Sequence, residues 1–176
     1  MTESEQPTGV SRRTVTKAMA WAVPAVALAA PVPAFATSGP KPTVTQGDAC
    51  KAPGGSVTCN GVVFKFGYGV PVYITNNSPL DIWIYSVSIV SQSQPDPVLS
   101  PVAVVPLPVK IAANGGTQQF LIGGQNTNSF NWQNGSLTLD AAWGHTPTAA
   151  GDTDHVGDPI EVTVSWDSTP PGCTCP

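Results

Sequence analysis

Beyond its N-terminal segment the chain alternates apolar and polar side chains with a period of two, the spacing of half-buried β-strands. The clearest stretch runs from Val70 to Val90, VPVYITNNSPLDIWIYSVSIV. Two apolar runs flank Asn76-Asn77-Ser78-Pro79, which predicts a hairpin or a tight corner. Val62 to Tyr68 sets Val62, Phe64, Phe66 and Tyr68 on one face with Lys65 opposite, the pattern of a single strand. Thr117 to Ile122 alternates, and Leu137, Leu139, Ala141 and Trp143 alternate with Ser136, Thr138, Asp140 and Ala142. The last strand is the cleanest: Ile160, Val162, Val164 and Trp166 against Glu161, Thr163, Ser165 and Asp167. Between them, prolines 95, 97, 101, 106 and 108 remove so many backbone donors that Ser91 to Pro108 fits only an edge strand or irregular chain. Val109 to Ala112 reads as a short strand ended by the turn Asn114-Gly115-Gly116. No segment keeps a 3.6-residue apolar period free of Gly or Pro, so helix should be minimal.

This grammar predicts an all-β fold, an antiparallel two-sheet sandwich of about seven strands. Residues 37–61 are rich in Pro, Gly, Ser and Thr without apolar periodicity and read as a linker and a cysteine-containing loop. The sandwich is assigned to 62–168 and a cysteine-containing tail to 169–176. A strand ending in Ile74-Thr75-Asn76-Asn77-Ser78, a next strand carrying Trp83 and a late alternating strand resemble an immunoglobulin-type sandwich. The cysteine pair that flanks the Trp in antibody-like domains is missing. The resemblance implies architecture and no activity.

The first 36 residues carry a different signal. Ser11-Arg12-Arg13-Thr14-Val15-Thr16-Lys17 precedes an Ala-rich apolar run, which closes on Ala34-Phe35-Ala36. A basic start, an apolar middle and an A-x-A exit are the parts of a removable secretory leader. The segment resembles the twin-arginine signals of exported actinobacterial proteins, with Val15 where Phe is commoner and Thr16 where Leu is. The resemblance implies the twin-arginine machinery as a partner and a secreted or surface-associated product. Pro24, Pro31 and Pro33 interrupt the run, which is barely long enough to span a bilayer, so no stable membrane span is expected after cleavage.

Processing at Ala36 leaves four lysines against nine acids, a formal charge of −5. Lacking a basic run, the mature chain does not fit a nucleic-acid partner. Four cysteines in an exported chain most simply make two disulfides. Cys173 and Cys175 sit two apart, which strains a mutual bond, so each is expected to pair with one of Cys50 and Cys59. Neither cysteine pair has zinc-site spacing, and no cation lies near Cys173-Thr174-Cys175 to activate a thiolate.

Two stretches can carry function. In Gly123 to Gly135, GGQNTNSFNWQNG, Phe130 and Trp132 stand among amide side chains, as on a sugar-binding face, with Trp143 as a further ring. The plainer alternative folds both rings back as lids on the sandwich. In Trp143 to Asp158, WGHTPTAAGDTDHVGD, Asp152, Asp154 and Asp158 are spaced to wrap a calcium ion, and His145 with His155 suits a transition metal. Turn chemistry between two strands explains the same composition without an ion. No G-x-S-x-G, H-E-x-x-H or phosphate-binding Gly loop occurs, and the strand acids Asp81, Asp140, Glu161 and Asp167 are placed to face solvent. The expectation is a non-catalytic structural or interaction module without a cofactor, meeting a surface protein or a glycan. The alternative is a carbohydrate-binding module using the loop aromatics.

Overall fold

The computed structural model describes residues 39–52, 56–152 and 154–176. The leader positions Arg12, Arg13, Ala34 and Ala36 lie outside the described residues. The chain there is all-β: β1 (Thr43–Gln46), β2 (Cys50–Lys51), β3 (Ser56–Cys59), β4 (Val62–Lys65), β5 (Tyr68–Asn76), β6 (Ile82–Gln92), β7 (Ser100–Ala103), β8 (Val109–Ile111), β9 (Gly116–Gln125), β10 (Gly135–Gly144) and β11 (Ile160–Trp166). A 3-10 turn at Ala149–Gly151 is the sole helical element among the described residues, and no helix there is long and apolar enough to cross a membrane.

Every strand pair is antiparallel. One sheet has the order β1-β5-β9-β7, with β2 also pairing β5, and a second has the order β11-β10-β6-β8. β3 and β4 form a separate hairpin. Strand alternation sends Val70, Val72, Ile74, Phe120 and Ile122 from the first sheet into one buried cluster. Ile82, Ile84, Leu137, Leu139, Trp143, Ile160, Val162 and Val164 from the second sheet complete it.

The stretch 70–90 is therefore a corner and not a hairpin, since β5 and β6 lie in different sheets. Asn76 explains the turn. Fully buried, it donates through Nδ2 to the carbonyls of Leu80 (2.8 Å), Ala112 (3.1 Å) and Ile111 (3.3 Å), while its Oδ1 accepts from Ser78 N and Oγ. One amide thus ties the end of β5 to the chain entering β6 and to the end of β8.

Two expectations about local structure are corrected. Val62 to Tyr68 is not one strand: Phe66 adopts a φ of 43°, and the chain leaves the β3–β4 hairpin there before β5 begins at Tyr68. The segment 37–61, expected as linker and loop, contributes β1, β2 and β3. β1 pairs β5 from Thr43↔Thr75 to Gln46↔Val72, but as an edge strand it exposes most of its side chains, so no apolar alternation marked it.

The hairpin covers the outer face of the first sheet. Leu121 points away from the main core, between Phe120 and Ile122, and joins Phe64, Val102, Val104, Ala52, Cys50, Cys59 and Cys173 in a second buried cluster. Disulfides Cys50–Cys173 and Cys59–Cys175 close this layer, the cross-pairing expected from the spacing. Backbone bonds from Lys51 N to Pro171 O (2.8 Å) and from Cys173 N to Lys51 O (2.9 Å) lay the tail along β2.

Candidate functional site

Residues 145–159 join β10 to β11 by a connection much longer than a tight turn, and one buried carboxylate organises it. Asp152 Oδ2 accepts the backbone N–H of His145. Its Oδ1 accepts the N–H of Asp154 (3.1 Å), the N–H of His155 (3.3 Å) and His155 Nδ1–H (3.0 Å). Burial pushes the Asp152 carboxyl up, but these donors outweigh it, and its pKa lies below the ordinary carboxylate value. The close approach needs Gly144: a Cβ there would stand 2.6 Å from Tyr85 Oη and closer still to Asp152.

Around this carboxylate the rings of Trp143 and His155 pack with centroids 3.9 Å apart, and His145 meets His155 edge-on at 4.9 Å. Trp143 Nε1 donates to Asp158 O (2.9 Å), and Tyr85 Oη donates to Thr146 O (2.7 Å), so both ends of the loop are pinned. His145 Nδ1 donates to Asp81 O at 3.0 Å. Under the loop is a cavity of about 300 Å³, lined by Tyr85, Ser88, Asp140, Trp143, Asp152 and His155 among others.

Of the residues nominated for a metal, only Asp152, His145 and His155 come together. Asp154 is exposed, and Asp158 is turned outward onto Lys41 at 2.7 Å. Among the described residues no group of three or more His, Cys, Asp or Glu is arranged to hold a metal ion. The calcium reading fails because both Asp152 oxygens already take donors from the loop itself, whereas calcium needs several free oxygens.

The nominated aromatics turn inward. Trp132 is 8% exposed, and its ring stacks on Tyr68 with centroids 5.4 Å apart; Tyr68 also stacks on Trp166 at 4.7 Å. Trp132 N–H donates to Tyr68 Oη, and Trp132 Nε1 donates to Asp96 O at 3.1 Å. Phe130 is half-buried on the same cluster, with the Lys51 ammonium 5.3 Å from its ring centre and 4.9 Å from that of Tyr68. Burial lowers the Lys51 pKa and raises that of Tyr68, the latter opposed by the Trp132 N–H bond. Trp143 is 3% exposed. Neither tryptophan offers a free face for a sugar, because the ring area that would stack on one is spent on the core.

Sequence reasoning passed over Tyr85 and Ser88 and set Asp140 facing solvent. Asp140 is half-buried, and its Oδ1 has no hydrogen-bond partner. The missing signal is tertiary, since only the return of the 145–159 loop covers this part of the second sheet. No protein-family model, curated protein or solved structure matches the chain.

Proposed function

We propose that the chain is an exported, non-catalytic interaction or structural module of immunoglobulin-like architecture, working at the cell envelope or in the medium. The observation that carries this reading is the pair of disulfides joining the start of the domain to its last residues, across sequence separations of 123 and 116. Such bonds persist in oxidising surroundings outside the cytoplasm and agree with the Arg12-Arg13 leader. The sheet orders β1-β5-β9-β7 and β11-β10-β6-β8 support the architecture, for they match the A-B-E-D and G-F-C orders of that sandwich with β8 as a further edge. They depart from it in that β8 follows β7 along the chain. A binding role is favoured over catalysis because Asp152, the one buried acid of the long loop, spends both oxygens on bracing that loop.

Export is tested by expressing the full chain in a bacterium with a twin-arginine pathway and fractionating the culture. The product is expected in the medium or the washed surface fraction, and Arg12→Lys combined with Arg13→Lys should hold it inside. Equal export of the double variant would overturn the route, and wild-type protein confined to the cytosol would overturn export itself. Saturable retention of the purified protein on washed envelopes is the expected result for an interaction module; adsorption that never saturates would contradict it.

A further inference from the structure

We propose that the open half of β6 is a self-association edge, at which a second copy of this chain adds its own β6 antiparallel and joins the two β11-β10-β6-β8 sheets into one. On one side β6 keeps β10 along its length, but on the other β8 covers only Ile82, Trp83 and Ile84. Among the described residues no backbone hydrogen bond reaches residues 86–91 from that side. Pro106 and Pro108 explain the gap. The chain that would extend β8 lacks two donors and crosses over from β7 in the other sheet, laying Val105 and Leu107 against the core. The same half-strand is short of cover on its inner face. Where β8 is present, the core-facing Ile82 and Ile84 are 0% and 1% exposed; past its end, Val87 and Ile89, packed on the same core, are only half-buried. Backbone and side chains lack the same neighbour, an extended strand.

The other sheet edges are guarded. β7 is four residues long and contains Pro101, and β8 is three residues long with Lys110 at its centre. β11 exposes Glu161 and is followed by the exposed Asp167, and its Thr163 carbonyl already accepts Gln46 Nε2 from β1 at 2.8 Å. Ser86-Val87-Ser88-Ile89-Val90-Ser91-Gln92 has no charge and no proline, so nothing in it repels an identical strand. Its spacing is self-complementary. Register shifts against β10 flank residues 86–89 and leave that run regular, with Ser86 and Ser88 exposed and Val87 and Ile89 turned to the core. A two-fold axis at Ser88 sets Ser88 opposite Ser88 of the second copy and Val87 opposite its Ile89, so serine meets serine outside and the half-buried apolar pair closes inside. Pairing at this edge is independent of export and of retention on envelopes, either of which can fail while the edge still pairs.

The test is sedimentation velocity of the purified, oxidised protein from micromolar to millimolar concentration. A reversible monomer–dimer equilibrium is expected, tightened by added salt because each mature copy has nine acids against four lysines. Ser88→Glu places two carboxylates opposite each other across the axis and should weaken the dimer by about tenfold or more. Thr45→Glu, the same change of charge at an exposed position of β1, should leave it unaltered. Hydrogen exchange of the wild type locates the contact and covers the case in which Ser88→Glu does not fold: amides of residues 86–91 should gain protection as concentration rises, and those of Thr43–Gln46 should not. A chain monomeric to millimolar concentration would overturn the second copy as occupant. A dimer indifferent to Ser88→Glu, protected elsewhere or weakened by salt would overturn the edge as its contact.

Discussion

Asn76 makes a strong case that a single buried amide can fix a sheet-to-sheet corner, because three carbonyls from two segments converge on its Nδ2. Replacing it with Ala takes that donor from the carbonyls of Ile111 and Ala112, while Leu80 O keeps the Ser78 hydroxyl at 2.7 Å, at a cost of about 1–3 kcal/mol for each buried group left unpaired. Urea unfolding of Asn76→Ala should therefore show a midpoint well below wild type with an unchanged slope. Asp152 makes a prediction in pH. Its carboxyl titrates below the ordinary value in the folded chain, so its bracing is fully present above the unfolded carboxylate pKa of about 3.9 and is lost as pH falls through the lower folded value. Asp152→Asn should lower stability at neutral pH and flatten the acid limb of a stability-against-pH curve. An acid limb as steep as that of wild type would assign the loss to other carboxylates.

At the scale of elements, the loop between β9 and β10 acts as a lid. Trp132 reaches back to close one end of the core over Tyr68 and Trp166, and Trp132→Ala removes a buried indole worth about 3–5 kcal/mol. A melt shifted strongly downward, with Phe130→Ala costing clearly less, would fit the half-buried position of Phe130. The two rings illustrate what the sequence carries. β10 and β11 were legible from their strict alternation, and the core they build follows that pattern residue by residue. The loop tryptophan was not, since nothing local distinguishes a ring that faces solvent from one that meets Tyr68, a residue 64 positions away. β9 runs on through Gly123 and Gly124, which read as the start of a loop. A Cβ at Gly123 would collide with the backbone of Tyr68 and Gly69, so glycine there permits close strand approach and does not mark a turn. The corner at Asn76 was visible as turn chemistry, but whether the chain stayed in one sheet depended on partners at Ile111 and Ala112.

For the molecule as a whole, the disulfides set how far the chain can open. Cys50–Cys173 closes almost the entire domain, worth about 5 kcal/mol by loop-closure entropy. Once it is formed, Cys59–Cys175 closes only a short remaining circuit, worth about 3 kcal/mol. Reductant should therefore lower the melting temperature by more than about 10 °C, and Cys50→Ser and Cys59→Ser should each cost about 3 kcal/mol, because the bond that remains still closes nearly the whole domain. The same bonds lay the tail over Phe64 and Leu121, so an opened tail should expose the second cluster to dye binding before the main core melts. We propose a leader-directed chain that ends as an oxidised all-β domain outside the cytoplasm. Intact mass spectrometry of the protein recovered from culture tests that most directly. The predicted mass is that of residues 37–176 less the hydrogens of two disulfides. A cytosolic product of full length with four free thiols would contradict it.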